Sequence, residues 1–319
     1  MNVRKSIVFA AVVMAVVSLV AIVAFAGCSS GGSGASGATS SANESSAAAS
    51  SSAEDAADSS ASSASSGSSE KTSSEGAAGA DSAANAEGAY TLVTAGTLTV
   101  ATSPYLPPFE SLVNDEYVGI DIEIAKAVAA KLGLEVKFKN LQFDAIIPTI
   151  VAGGMADVGI SAFTVNPERA KDVDFSDSYF VDGQAIAVMK GGGITEKNAD
   201  KALNEKGTTI AVQSGTTGAS YVKESYPEAR VQPYSDFVTA FADMQAGRID
   251  AVCANKAVVE TMIADSYPDA EIVKSIVTGE EYAIAVSKDN PALTVAINDA
   301  LNELGADGVI DKIVDANLP

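Results

Sequence analysis

Apolar segments with β-strand spacing alternate with segments of helical spacing from residue 97 to the end of the sequence. Strands are predicted at 97–101, 135–139 and 156–161, and helices at 120–132 and 144–152. In the first helix the apolar residues share one face, and Gly133 follows its end. This strand–helix–strand order predicts an α/β fold, in which helices flank a mostly parallel sheet on both faces.

A second alternating series begins near residue 184 and predicts another α/β unit. Its strands are predicted at 185–189, 209–212, 249–254 and 282–287, and its helices at 214–225, 236–246, 258–264, 290–305 and 308–316. The chain then crosses between the units at 179–185 and 280–283, which forms a hinge beside a cleft. We expect lobe 1 to contain residues 90–182 and 281–319, and lobe 2 residues 183–280.

The first 28 residues have the pattern of a secretory signal. Arg4 and Lys5 precede an apolar run at 7–25, and small residues precede Cys28. The run is also long enough for an uncleaved transmembrane helix. The sequence Phe-Ala-Gly-Cys at 25–28 resembles the lipobox of bacterial lipoproteins, which implies a signal peptide removed at a lipidated Cys28. In either case the rest of the chain is expected outside the cytoplasm and attached to the cell membrane.

Residues 29–89 consist almost wholly of Ser, Ala, Gly and acidic residues. Such a segment cannot bury enough apolar surface to offset its conformational entropy, so it is predicted to be a disordered linker. A flexible coil of this length reaches roughly 40–45 Å. It either acts as a spacer that lifts the folded part from the membrane or is low-complexity sequence with glycosylated serines.

The composition excludes several classes of function. With 41 acidic and 20 basic residues, the chain carries a net charge of −21, which argues against nucleic acid or anionic lipid as partners. Because the chain has no histidine and only two cysteines, we expect no metal site and no cofactor. Cys253 lies in an apolar run and is predicted to be a buried small hydrophobic residue.

Small and hydroxylated residues and an arginine follow the strand at 156–161. The run at 159–180 reads GISAFTVNPERAKDVDFSDSYF and contains Ser161, Ala162, Thr164 and Arg169. The carboxyl ends of strands in an open α/β sheet are where small ligands bind. Arginine presents a planar fork that matches a carboxylate, although an arginine in an acidic turn is also commonly a solvated charge.

A second hydroxylated turn, Gln-Ser-Gly-Thr-Thr-Gly at 213–218, connects a strand to a helix. The unpaired N–H groups at a helix start can bind an anion. Thr216 and Thr217 are equally typical of a simple helix cap. The turn has no Walker lysine, so a phosphate loop is not expected.

Together, these segments resemble the family 3 solute-binding proteins of polar amino acid ABC importers, in their lipoprotein form. The helix start at 117–125 (YVGIDIEIA), Ile-Ile-Pro at 146–148 and Asp-Val at 157–158 add to the resemblance, which spans residue 97 to about 315. It implies a two-lobed periplasmic-binding-protein-like fold that closes on a small carboxylate, most simply a polar α-amino acid. It further implies a monomer without enzymatic activity that delivers its ligand to an ABC permease and ATPase.

The resemblance also implies a set of ligand-binding residues. Arg169 would pair with the ligand α-carboxylate, and hydrogen bonds and walls would come from Thr164, Ser161, Ala162, Thr216, Thr217 and Gln213. Phe143 would pack on the ligand side chain or belong to the core, and Tyr105 and Leu106 would form a further wall. Asn255 occupies the position where the family usually carries an aspartate for the ligand ammonium, and Ser103 a position where an aspartate or asparagine is common. Because both residues are neutral, Glu110 or Glu281 would have to supply the negative charge.

Two other functions fit the same sequence. Some dehydratases of aromatic amino acid biosynthesis share this fold and need an acid in the cleft, for which Glu110 or Glu123 is the candidate. The absence of histidine removes the commonest general base and disfavours this reading. A sensor that presents its ligand to a membrane receptor would have the same sequence features as an importer component.

Overall fold

The computed structural model describes residues 90–319, whose strands form two five-stranded sheets and one small three-stranded sheet. The strands are β1 (Thr97–Thr102), β2 (Tyr105–Leu106), β3 (Glu110–Val113), β4 (Glu116–Val118), β5 (Glu135–Asn140), β6 (Val158–Gly159), β7 (Val173–Phe175), β8 (Phe180–Met189), β9 (Thr209–Gln213), β10 (Arg230–Tyr234), β11 (Ala251–Asn255), β12 (Ala270–Tyr282) and β13 (Ala285–Ser287). The helices are α1 (Ile120–Lys131), α2 (Phe143–Ala152), α3 (Ala199–Ala202), α4 (Thr217–Ser225), α5 (Phe237–Gln245), α6 (Lys256–Asp265), α7 (Pro291–Ala306) and α8 (Val309–Asn317).

The first sheet has the strand order β5-β1-β6-β13-β7 and the second β10-β9-β11-β8-β12. In the first sheet β5, β1 and β6 are parallel, and in the second β10, β9 and β11 are parallel. The remaining pairings, through β13, β8 and β12, are antiparallel. Since loops that follow parallel strands emerge at one edge of a sheet, each sheet presents a set of such loops for ligand binding.

The two predicted crossings are confirmed, and they lie side by side. Strands β8 and β12 belong to the second sheet, and the chain enters that sheet along β8 and returns toward the first sheet at the end of β12. The two strands pair antiparallel at this crossing, with Phe180 opposite Tyr282 and Asp182 opposite Glu280. Thr164, which follows the first sheet's β6, forms a further bridge with Tyr282. The hinge is therefore one two-stranded ribbon. The residue bounds assigned above to the two lobes stay a prediction.

Apolar periodicity explains how the elements pack. The predicted apolar face of α1 is buried, with Ile120, Ile124 and Val128 at most 1% exposed. These residues lie in a large cluster that also contains side chains of β1 and α7. Cys253 is fully buried on β11, as predicted, and burial raises the pKa of its thiol to about 12.

The structure departs from the predicted elements in several places. The strand predicted at 156–161 is limited to Val158–Gly159, because Ala162 turns the backbone with φ = 46°. The helix predicted from residue 214 begins at Thr217, since Thr216 serves as its N-cap. Strands β7, β10 and β12, the short helix α3 and the small sheet β2-β3-β4 were not predicted. The strand predicted at 282–287 is divided between the end of β12 and β13.

The predictions for the signal at 1–28, for lipidation of Cys28 and for the linker at 29–89 lie outside the described residues. Within residues 90–319, no helix is both long enough and apolar enough to cross a membrane.

Candidate functional site

Loops from both large sheets surround one cavity. Ten side chains predicted to bind ligand line it: Leu106, Phe143, Ser161, Ala162, Thr164, Arg169, Gln213, Thr216, Thr217 and Asn255. The first six of these residues precede the hinge in the chain, and the last four belong to the second sheet and its loops. The cavity is thus formed jointly by the two α/β units, where the carboxyl ends of their parallel strands face each other.

Two predicted residues, Ser103 and Tyr105, are not part of this lining. Ser103 is buried, and its N–H donates to Ser161 Oγ at 3.4 Å. Tyr105 is 38% exposed and its hydroxyl accepts from Asn140 Nδ2 at 3.2 Å. Because side chains alternate along a strand, Leu106 faces inward where Tyr105 faces outward. Leu106 therefore provides the apolar wall in this loop.

Arg169 is the cation of the cavity. It opens a short 3-10 turn, and its N–H donates to Asn166 Oδ1 at 2.8 Å. The guanidinium donates to Thr164 O at 2.9 Å and to Gly215 O at 3.0 Å, so it connects loops of the two units. It forms no ion pair with any acidic side chain that the structure describes. Burial lowers its pKa to about 10, against the opposing effect of Glu280, and the group stays charged at neutral pH.

Two aromatic rings support this guanidinium. Its central carbon lies 5.4 Å from the ring centre of Phe143 and 5.3 Å from that of Phe163. The two rings stack on each other with centroids 4.8 Å apart. Phe143 is 7% exposed and belongs to a buried cluster as well as to the cavity lining. Stacked rings of this kind hold an arginine in a fixed plane.

The turn at 213–218 places the start of α4 at the cavity. The Thr216 hydroxyl caps the helix, because it accepts from Ala219 N–H at 3.1 Å and donates to Gln213 O at 2.8 Å. The N–H groups of Thr217 and Gly218 have no hydrogen-bond acceptor among residues 90–319. The turn is therefore both a capped helix and a source of unpaired donors with partial positive charge.

A buried network at the hinge was not predicted. Glu280 is 8% exposed and accepts hydrogen bonds from the hydroxyls of Thr164 and Thr217, the second at 2.9 Å. Gln184 Nε2 donates to Glu280 at 2.9 Å and to Thr217 Oγ1 at 3.2 Å. Glu280 thus joins a loop of the first sheet, the start of α4 and the hinge ribbon.

The sequence contains a signal for Glu280. Tyr282 lies at the predicted crossing, and its aromatic ring favours burial. Because side chains alternate along a strand, Glu280 lies on the same face as Tyr282 and Glu281 on the opposite face. Glu281 is exposed in the structure, as this alternation requires. Glu280 accepts from two residues that line the cavity, Thr164 before the hinge and Thr217 after it.

Asn255 ends β11 and lines the cavity beside this network. Its Nδ2 donates to the Tyr282 hydroxyl, which donates to Asp182 Oδ2 at 3.2 Å. Asp182 also accepts from Ala257 N–H at the start of α6, at 3.1 Å. In the described part of the chain no donor bonds to Asn255 Oδ1, so this oxygen can accept a hydrogen bond from a ligand.

Glu110 lies behind the cavity and not in it. It is fully buried, accepts from the Ser161 hydroxyl and adjoins the equally buried Asp121. Asp121 accepts from Ala162 N–H at 2.7 Å and from the Tyr179 hydroxyl at 2.8 Å. Burial raises the pKa of Glu110 well above its usual value, and it raises the pKa of Asp121 to about 7. The carboxyl pair supports the backbone at Ser161 and Ala162.

No cluster of three or more His, Cys, Asp or Glu side chains suited to a metal occurs in the region from 90 to 319. The cavity is instead equipped for an organic ion: a guanidinium, unpaired N–H groups, an amide oxygen, and an apolar wall of Phe143 and Leu106.

Comparison with known proteins identifies relatives of the chain. The family model of bacterial extracellular solute-binding proteins, family 3, matches residues 98–318. The ABC transporter arginine-binding protein 1 of Escherichia coli strain K12 is 34% identical over 232 residues, which is 70% of this chain and 92% of that protein.

Solved structures show the same relationship. An ancestral arginine-binding protein bound to arginine is 39% identical, with a TM-score of 0.64, and the match covers 70% of this chain and 99% of that one. The ancestral amino acid-binding protein AncCDT-1, a precursor of cyclohexadienyl dehydratase, is 33% identical, also with a TM-score of 0.64; the match covers 70% of this chain and 96% of that one. The two-lobed periplasmic-binding-protein-like fold is confirmed by these neighbours. The chain belongs to family 3 of the bacterial extracellular solute-binding proteins.

Proposed function

We propose that this protein captures a small α-amino acid in the cavity between its lobes and delivers it to the permease of an ABC importer. The observation that carries the proposal is the convergence of Arg169, Thr164 and Thr217 from opposite units on one cavity. A ligand held by both units stabilises their closed arrangement, because it binds that arrangement better than an open one.

The carboxylate of the ligand is assigned to Arg169 and the start of α4. Arg169 is aligned by the rings of Phe143 and Phe163 and has no acidic partner among the described residues, so it can form a charge-assisted bond with an incoming carboxylate. The N–H groups of Thr217 and Gly218 add donors from the other unit. Ser161, Ala162, Gln213 and Thr216 shape the surrounding walls.

Polar α-amino acids are the ligand class that this proposal favours. The relatives described above are named for arginine or for amino acids in general. The cavity supports this class because it combines ion-binding groups at one end with Phe143 and Leu106 beside them.

The delivery role rests on the family and on the N-terminal sequence. We propose that lipidated Cys28 anchors the protein outside the cytoplasm, that residues 29–89 act as a flexible tether, and that the folded part is monomeric. A sensor with the same binding domain would differ only in its membrane partner; co-purification with a permease and an ATPase distinguishes the importer.

A dehydratase is the second candidate, since one structural neighbour is described as a precursor of such an enzyme. The acid considered for this role, Glu110, is fully buried and accepts a hydrogen bond from Ser161. Its position behind the cavity lining supports a structural role. Conversion of prephenate or arogenate to an aromatic product by the purified protein would contradict the binding-protein proposal.

Calorimetric titration with the twenty amino acids tests the proposed function. We expect at least one polar amino acid to bind, and we expect Arg169→Ala to weaken that binding by at least about 100-fold, because a buried charge pair is lost. Arg230→Ala removes the same charge from an exposed position on β10 and should leave the affinity unchanged. Equal affinities of the Arg169→Ala variant and the unmodified protein would contradict the assignment.

A further inference from the structure

The carboxylate of Glu280 is a buried negative charge that has no role in the proposed binding of the ligand carboxylate. It is 8% exposed at the hinge, and it accepts hydrogen bonds from Thr164, Thr217, Gln184 and Thr278. No lysine or arginine among the described residues forms an ion pair with it. A buried anion without an ion partner is costly, so its retention calls for a functional account.

The network sets the direction of the two threonine hydroxyls. A carboxylate can only accept, so both hydroxyl protons point to Glu280. The oxygens of Thr164 and Thr217 can then act toward the cavity as acceptors and not as donors. Thr217 Oγ1 already accepts from Gln184 at 3.2 Å, whereas Thr164 Oγ1 accepts no hydrogen bond from the described residues. These oxygens match the N–H groups of an ammonium and not the oxygens of a carboxylate.

The cavity needs such acceptors. Neither Ser103 nor Asn255 carries a charge, and Asn255 offers only its Oδ1 because Nδ2 is bound to Tyr282. With the oxygens of Thr164 and Thr217, three acceptors are available for the three N–H groups of an ammonium. Glu280 supplies the negative charge behind two of them.

The position of Glu280 also fits the geometry of an amino acid head group. In an α-amino acid the ammonium and the carboxylate are attached to the same carbon, so their binding groups must be neighbours. Thr164 connects both: its carbonyl oxygen accepts from Arg169 at 2.9 Å and its hydroxyl donates to Glu280. Thr164 therefore lies between the positive charge of Arg169 and the negative charge of Glu280.

We propose that Glu280 determines specificity for the ligand ammonium, acting through the oxygens of Thr164 and Thr217. This inference rests on the proposed function, because it concerns the second charge of the same ligand. It makes the cavity selective for zwitterionic head groups over simple carboxylates.

The test compares each amino acid with its analogue that lacks the α-amine. The probes are L-arginine with 5-guanidinopentanoate and L-glutamine with 4-carbamoylbutanoate, together with the deaminated analogue of any other amino acid that binds. We expect Glu280→Gln to weaken amino acid binding by about 10- to 100-fold, since a charge-assisted interaction is lost. The affinity for the deaminated analogue should stay within about twofold or rise.

Glu281→Gln is the matched control, because it removes the same charge from the adjacent, exposed position. It should leave both affinities unchanged. A purely structural role of Glu280 would lower the affinities for both members of a pair equally, and that result overturns the inference while leaving the proposed function intact. If no amino acid binds to the unmodified protein, both the proposed function and the inference fail.

A second variant covers the case in which Glu280→Gln does not fold, as judged by circular dichroism. Thr217 is only half-buried, and Thr217→Val removes one relaying oxygen while the Thr217 N–H is kept. We expect amino acid affinity to fall about tenfold and analogue affinity to change less than about twofold. An equal change for both members of a pair overturns the inference here as well.

Discussion

Asp121 and Glu110 form a buried carboxyl pair that retains a proton near neutral pH. Burial raises the pKa of Asp121 from 3.8 to about 7, so between these values the folded state binds more protons than the unfolded chain. The free energy of unfolding therefore falls as the pH rises through this window, by at most about 1.4 kcal/mol per pH unit for one proton. Above about pH 7 the contribution of Asp121 is lost.

Urea unfolding between pH 4 and 8 measures this effect. We expect the unmodified protein to lose stability relative to Asp121→Asn as the pH rises, because the amide does not titrate. Asp311→Asn, at an exposed position of α8, should follow the unmodified protein at every pH. A difference between Asp121→Asn and the unmodified protein that is constant with pH would contradict a proton held by the pair.

At the residue scale, local sequence predicts positions better than partners. The position of Arg169 and Thr216 at the cavity could be predicted because both residues follow the end of a strand in an α/β sheet. Alternation with Tyr282 indicates that Glu280 is buried, but its role depends on Thr164 and Thr217, which are 116 and 63 residues away in the chain. Contacts between distant segments depend on the fold and leave little trace in local spacing.

Gly183 determines how closely β8 and β12 approach at the hinge. A Cβ at this position would overlap the carbonyl oxygen of Ile276 on the opposite strand. We expect Gly183→Ala to lower the free energy of unfolding by about 1–3 kcal/mol, because the strand must shift. Gly305 lies in α7 with no atom within 4 Å of an added Cβ, so Gly305→Ala should raise stability by about 0.5–1 kcal/mol. Thermal unfolding of both variants measures these changes in stability. If Gly305→Ala lowers the stability as much as Gly183→Ala does, the steric explanation is contradicted.

Among the elements, periodic helices were predicted closely and irregular strands were not. The buried face of α1 follows its 3.6-residue period. Strand β12 escaped prediction because register shifts at 272–274 and 276–280 interrupt its alternation. Strand β6 is short because the residues after it turn toward the cavity, and Ala162 adopts a left-handed conformation to donate its N–H to Asp121. The shift that ends at Glu280 and the turn at Ala162 thus lie beside the site.

For the whole molecule, a ligand bound by both units should stabilise the folded state by mass action. At a ligand concentration of 100 times Kd the gain is about 2.7 kcal/mol, which corresponds to a rise in Tm of about 5–10 °C for a domain of this size. Scanning calorimetry with the amino acid found to bind by calorimetric titration measures this rise in Tm. The Arg169→Ala variant should show a rise of about 1 °C or less at the same concentration. A rise equal to that of the unmodified protein would indicate a binding site elsewhere.

The pairing of β8 with β12 determines which parts of the site can move. Because the two crossings are hydrogen-bonded to each other, they bend together and form a single hinge axis. Residues near a hinge axis are displaced least when the two units rotate about it. Glu280 and Gln184 are on this ribbon, whereas Arg169 and the start of α4 extend from it on opposite sides. An amino acid would therefore meet the carboxylate of Glu280 at an almost fixed position, and rotation about the ribbon would bring Thr217 and the other walls of the cavity to it.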